Sequence, residues 1–412
     1  MDLREKLSRM GPGLPGRGMD SGPRIRSDIH LHVSGETLEN RKGAFFHAVE
    51  VYPFDHLHGE VPVGRLLDVD PSVFGVIGRN PALAGLDMRR ALFLDTETTG
   101  LAGGTGTLPF LIGLGSFSDN GFRVEQLFMR DWDEEQAVLE ELRTRFEKAE
   151  CLVSYNGRCF DMPLINTRFL LGRMRNPAEN LPHLDLLYPA RRMWRRRIGD
   201  CSLASIERSA LGFERMDDIP GFLIPSLYFE YVRTGRARNL APVFRHNRWD
   251  IVSLAALSGL MGLIHTEPEA HVRHAHDWIS LGRSYEQELR IEQASVCYRQ
   301  ALDLTPASDQ RAEILSMLGF AFKRCADWTR AVEVWEQLVQ NQAFSVTPYE
   351  ELAKYYEHRA ADYQAAADIV RRALARIAVL SELRPEQVME DRKDLEYRLA
   401  RLERKSRKSR RS

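Results

Sequence analysis

The chain has little to hold it together covalently: its 412 residues include five cysteines (Cys151, Cys159, Cys201, Cys297 and Cys325), scattered and in apolar contexts, with no paired spacing. That excludes a disulfide-stapled scaffold and makes a reducing, cytoplasmic setting the expectation. Zinc-site spacing is also missing. His30/His32 and His56/His58 stand at strand-like i, i+2 separation, but no Cys pair or acid accompanies them. No apolar run approaches the ~20 residues of a membrane span and the N-terminus has no apolar signal core, so no membrane partner is expected. Net charge is nearly absent, −1 from 57 Lys/Arg and 58 Asp/Glu, and on its own says little about nucleic acid. What is plentiful is core material: 43% hydrophobic residues over this length suffice for two or three domains.

The most informative stretch is FLDTETTGL, residues 93–101. The apolar run Ala91-Leu92-Phe93-Leu94 delivers Asp95 and Glu97 at strand spacing, so both carboxylates face the same side at the strand's end. Two like charges so held are unfavourable unless a cation neutralises them; the plainer reading is a strand running out into the polar turn of Thr96, Thr98, Thr99 and Gly100. Downstream, the strand 151–155 ends at Asn156-Gly157, and Asp161 stands in the first turn of a helix, where a capping carboxylate is also ordinary. Further on, His246 and Asp250 lie four apart on one face of a long helix reaching about 264.

Taken together and in this order, these segments resemble the DEDD 3′–5′ exonucleases of the ribonuclease H-like superfamily. The closer likeness is to a bacterial group of exonucleases expected from sequence. It is carried by ETTGL with GGTGTLPFLIGLG (103–115), YNGRCFDMPL, HLDLLYPARRMW (183–194), DDIPG (217–221) and HNRWD (246–250), and spans roughly residues 40–265. The resemblance implies a mixed α/β sheet of ribonuclease H type. It also implies two divalent ions, Mg²⁺ or Mn²⁺, held by Asp95, Glu97, Asp161 and Asp250, with His246 as general base. Thr98 and Asn156 would touch the substrate. Three residues separate His246 from Asp250, where histidine-type relatives usually have four and tyrosine-type relatives three. The implied activity is 3′–5′ hydrolysis of single-stranded DNA or RNA; the alternatives are a structure-specific endonuclease of the same fold, or an interaction scaffold acting through its C-terminal helices.

Other features are open to two readings. Gly103-Gly104-Thr105-Gly106 could cradle a phosphate or form a tight turn between strands; it lacks the Gly-Lys-Ser/Thr of a P-loop. Arg191, Arg192, Arg195, Arg196 and Arg197 surround Trp194, either a surface that holds a phosphate backbone and stacks a base, or a solvated helix face. Asp185 reads as structural, at the rim of the site. His271, His274 and His276-Asp277 superficially suggest an HD-type phosphohydrolase, but further ligands are missing and a linker is the better account.

Residues 1–27, with GPGLPGRG, lack apolar periodicity and read as flexible. Residues 28–90 read as an extension packed on the nuclease, which occupies 91–266. Its strands are expected near 91–97, 107–117, 122–130, 151–155 and 183–187, with helices over 133–149 and 160–172. From about 275 to 380 the chain becomes helical and repetitive. Ala294/Tyr298/Ala301, Ala331/Trp335/Leu338 and Ala366/Val370/Ala373 keep one internal spacing, and Leu281-Gly282 returns as Leu318-Gly319. This resembles tetratricopeptide-like helix pairs, which bind protein partners; a generic helical bundle is the alternative. The end, 381–412, reads as a helix and a disordered basic tail: residues 391–412 hold ten Lys/Arg against four Asp/Glu.

Overall fold

The computed structural model describes residues 27–100, 106–306, 308–340, 345–381 and 385–409. The chain forms two compact units, Met1–His271 and Val272–Ser412. Residues 1–26, and residues 103–105 of the glycine-rich turn, lie outside the described residues.

The frame of the first unit is a seven-stranded mixed sheet. Its strands are β1 Glu36–Asn40, β2 Gly43–Tyr52, β3 Ala91–Thr98, β4 Pro109–Ser118, β5 Gly121–Phe128, β6 Cys151–Ser154 and β7 His183–Asp185. They lie side by side in the order β1-β2-β5-β4-β3-β6-β7. β3, β4 and β5 pair antiparallel through short connections, whereas β6 and β7 run parallel to β3. A parallel neighbour needs a crossover. Helix α1 Glu135–Phe146 supplies it before β6, and α2 Asp161–Leu171 before β7. Helices α3 Leu187–Ile198, α4 Ile224–Thr234 and α5 Ala241–Thr266 follow.

The outer edge differs from expectation. Residues 28–90 are more than an extension packed on a finished fold, because β2 pairs with β5 from Phe46↔Phe128 to Tyr52↔Phe122 and lengthens the sheet. Phe46 and Phe128 then share one aromatic core with Phe244 of α5. The turns that follow lie on α5, where glycines leave the space. A Cβ on Gly262 would come within 2.4 Å of Val69, and one on Gly259 within 3.0 Å of the Leu66 nitrogen.

α5 also corrects the reading of apolar runs. Arg238–Thr266 is long and apolar enough to cross a membrane by length and composition, though 83% of its apolar window is buried inside the unit. A helix enclosed on all sides by its own fold is apolar all round for the same reason as a spanning one.

The second unit contains α6 Ala275–Gln287, α7 Ile291–Asp303, α8 Ser308–Arg324, α9 Trp328–Gln340, α10 Thr347–His358, α11 Tyr363–Ser381 and α12 Pro385–Ser409. Each packs on the next. The repeated Leu-Gly pair has a steric reason: a Cβ on Gly282 would meet the Tyr298 ring at 2.7 Å, and one on Gly319 would meet Trp335 Nε1 at 2.5 Å. The basic end is not a disordered tail up to residue 409. Leu395 and Leu402 are buried, and Arg398, Arg401 and Lys405 converge on the buried Glu357 of α10.

Candidate active site

β3 sits in the middle of the sheet, between β4 and β6. Alternation along it buries Thr96 and Thr98 on one side and leaves Asp95 and Glu97 partly open on the other. Its pairing with β4 slips between Glu97 and Thr98, so the strand ends at the acids. At the end of β6 the chain turns sharply through Asn156, whose φ of 64° is left-handed, and Gly157. Asp185 braces this turn from β7. Its Oδ1 accepts from the Asn156 (2.7 Å) and Leu187 (3.1 Å) amides, and its Oδ2 from the Arg158 amide at 3.1 Å. The turn delivers Asp161 as the first residue of α2, where the Thr96 hydroxyl donates to Asp161 Oδ1.

α5 closes the arrangement. Gly113, opposite Asp95 in the ladder, has no side chain because Asn247 stands there: a Cβ would lie 2.3 Å from Asn247 Oδ1. Asn247 Nδ2 donates to Asp95 Oδ2 at 2.9 Å, while its Oδ1 accepts from Gln126 Nε2 at 2.9 Å. One residue before and three after Asn247 come His246 and Asp250. His246 Nε2 lies 3.5 Å from Asp250 Oδ2 and 4.0 Å from Glu97 Oε1. Among the described residues, Glu97, His246 and Asp250 form the one cluster of three whose donor atoms all lie within 4.8 Å of one another. The histidines near 271–277 form no such cluster.

The acids disturb one another's ionisation. Burial, reinforced by Asp250, Asp161 and Glu97, pushes Asp95 well above the usual carboxylate range, against the hydrogen bond from Asn247. Glu97 is pushed up to about 8 by burial and by Asp250 and Asp161, with His246 and Arg215 opposing. Asp161 rises to about 6, chiefly through burial. For His246, burial disfavours the charge, but Asp250, Glu97 and a hydrogen bond to Asp218 outweigh it and raise its pKa. Nδ1 lies 2.7 Å from Asp218 Oδ1, which can only accept, and 3.3 Å from Arg215 Nη1, so Nε2 is the ring nitrogen that faces the acids.

Asp95, Glu97, Asp161, His246 and Asp250 thus come together from β3, α2 and α5. The residues expected around them fare differently. Thr98 is buried, and its hydroxyl donates to the Gly100 carbonyl at 2.9 Å. Asn156 is exposed at the end of β6. Trp194 does not stack a base, because it is 1% exposed; with Ala190 and Met193 it forms the inward face of α3. Arg191, Arg195 and Arg196 are exposed on that helix, whereas Arg197 donates to the Ser209 carbonyl at 3.1 Å and Arg192 to that of Ile77. Sequence reading missed Asn247 and Gln126, and it missed Arg215, Asp218 and Glu207. The motifs HNRWD and DDIPG contain two of these, but no spacing rule tells which polar residue points inward.

Residues 92–261 match the family described as the RNase_H superfamily. The chain belongs to that superfamily, in keeping with its mixed sheet and the helices that follow. It is similar to the "Uncharacterized protein YprB" of Bacillus subtilis (strain 168), with 32% identity over 361 residues, 86% of this chain and 84% of that protein. The likeness therefore reaches beyond the sheet into the helical unit. Membership implies a nuclease-type activity on nucleic acid, and such nucleases usually use divalent metals.

Proposed function

We propose that the protein is a DEDD-type, metal-dependent 3′–5′ exonuclease acting on single-stranded DNA or RNA. One observation carries this reading: Asp95, Glu97, Asp161 and Asp250, drawn from three distant segments, meet at one strand end, where burial and the neighbouring carboxylates raise the proton affinity of Asp95 and Glu97. A buried set of oxygen donors with too little positive charge suits hard divalent cations. Two ions, Mg²⁺ or Mn²⁺, held by these four acids would supply Lewis-acid activation of water and stabilisation of the leaving oxygen.

The chain's own groups do the rest. His246, held through Nδ1 by Asp218, would accept the proton of an attacking water at Nε2 when neutral. Asn247 holds Asp95 in place, and Asp185 holds the turn that aims Asp161. Thr98, Asn156, Arg191, Arg195, Arg196 and Arg197 are the expected contacts to the strand, by backbone placement and charge and without Trp194. The helical unit, read as tetratricopeptide-like repeats, would recruit a protein partner, with the cytoplasm as the compartment.

The test uses full-length protein with 5′-labelled single-stranded DNA and RNA, with Mg²⁺ or Mn²⁺, run on a sequencing gel. The expected product is a ladder shortening from the 3′ end that a 3′ block abolishes. Internal cuts in a 3′-blocked strand at the same rate would make the protein an endonuclease. Absence of cleavage of either polymer would overturn the reading.

A further inference from the structure

We infer that Arg215 is a positioning residue of this site, a buried guanidinium that turns one oxygen of Asp250 away from the acid cluster and, through Asp218, sets the ring of His246. The inference rests on the proposed function for its catalytic consequence, though its geometry stands independently.

Arg215 lies between β7 and α5 in sequence, outside the motif acids, with its side chain 7% exposed. Its fork serves three carboxylates. Nε and Nη2 donate to Glu207 Oε2 and Oε1 at 2.7 and 2.6 Å. Nη2 also donates to Asp250 Oδ1, and Nη1 reaches Asp218 Oδ2 at 3.2 Å. Asp250 is thereby held by Oδ1, while its Oδ2 lies 3.5 Å from His246 Nε2. Asp218, tied to Arg215 by one oxygen, receives the His246 ring by the other.

Glu207 anchors the fork from behind. It is fully buried, opens a π-helical turn (Glu207–Leu211), and accepts from the Ser253 hydroxyl of α5. Ser253 bonds in turn to His58 at 2.6 Å, and His58 stacks on Phe213 with ring centroids 3.8 Å apart. One cation thus serves three acids and leaves the cluster side net negative. A lysine has the charge but not the fork, so it could not hold all three partners at once.

Two variants of the full-length protein test this, Arg215→Lys and the double variant Arg215→Met/Glu207→Gln, which removes a buried charge of each sign together. Mn²⁺ binding is read by electron paramagnetic resonance without nucleic acid, beside kcat, KM and thermal melting. Arg215→Lys is expected to fold and to lose about tenfold or more in kcat with KM little changed, because a small misplacement of a reacting group is costly. The double variant is expected to bind Mn²⁺ several-fold more tightly, since the cation facing Asp250 is gone, while its kcat falls. Wild-type kcat and Mn²⁺ affinity in both variants would overturn the inference. So would weaker Mn²⁺ binding in the double variant together with a lowered melting temperature, the mark of a merely structural arginine. Should the wild type cleave no nucleic acid, the exonuclease reading falls, and Mn²⁺ binding still decides the role of Arg215.

Discussion

Asp95 in the sheet unit and Glu357 in the helical unit are both buried acids, and they are treated in opposite ways. Around Glu357 stand Arg401 at 2.6 Å, Lys405 at 2.9 Å and Arg398 at 3.4 Å. Burial alone would raise its pKa, but these cations outweigh it and hold the carboxyl below the usual range. Asp95 has for direct company the amide of Asn247 and three more acids, and its pKa is driven up. The contrast is not one of units, because Glu125 of β5, bonded to His47 and Arg145, is lowered to about 2 despite its burial. At Glu357 and Glu125 the fold neutralises the acid it buries. At the end of β3 it gathers them and leaves the charge unbalanced, which is the signature expected where binding or chemistry supplies the remainder.

Asp95→Asn attacks that imbalance most directly and has the largest expected effect. Metal-dependent hydrolysis should be abolished, while the metal-free protein melts higher by about 1–2 kcal/mol of stability through relief of repulsion and desolvation. Paired activity and melting measurements check both halves. Unchanged cleavage would remove Asp95 from the chemistry, and a lowered melting temperature would place it among the structural acids with Glu357.

His246→Ala comes next. Loss of a positioned base typically costs about 10²–10⁴ in rate. Turnover should fall in that range while Mn²⁺ still binds the acids. A loss below about fivefold would mean that Nε2, set 3.5 Å from Asp250 Oδ2, serves to pair that acid and not to move a proton.

Much of this contrast could be read before folding, and the unread part has physical causes. The alternation through Phe93, Asp95 and Glu97 and the apolar runs of β4 to β6 report burial, and burial is what the sheet delivers. The acids that meet at the end of β3 are those the motifs single out, because order along the chain carries topology; their role as metal ligands is the proposal above. Periodicity does not name partners, however. Trp194 sits among arginines in sequence, yet a helix sorts by face, and its face is that of Ala190 and Met193. The basic residues of α12 looked solvated because Glu357 stands 41 to 48 residues earlier. Arg215 was invisible for a related reason: Glu207 and Asp218 are 8 and 3 residues away in an irregular stretch with no period to read, and Asp250 is 35 residues later.

Glu357→Gln sharpens the comparison from the other side. It leaves Arg398, Arg401 and Lys405 without their shared anion. These three are partly solvated, so the loss should be about 1–3 kcal/mol, confined to the helical unit. Hydrolysis of a short oligonucleotide should not change. Equal loss of activity would show that the helices support the site itself.

The smallest effect is on the pH dependence of melting without metal. Glu97 has a folded pKa of about 8 against an ordinary 4.5, so the folded protein binds its proton more tightly than the unfolded chain does. Stability from that proton is complete below the ordinary value and is lost as pH rises through the folded one. The raised pKa of His246 acts in the same direction. Glu357, shifted downward, acts in the opposite sense, and only on the acid side. The melting temperature of the sheet unit should therefore fall by several degrees between about pH 5 and pH 8, most steeply between the ordinary and the folded values and levelling off near the latter. Saturating Mg²⁺ should flatten the slope by supplying the missing charge, and Asp95→Asn should flatten it without metal. Calorimetry of the three samples decides the matter: a metal-free protein whose melting is level across this range would mean that the gathered acids are neutralised after all, and the difference between Asp95 and Glu357 would be one of degree.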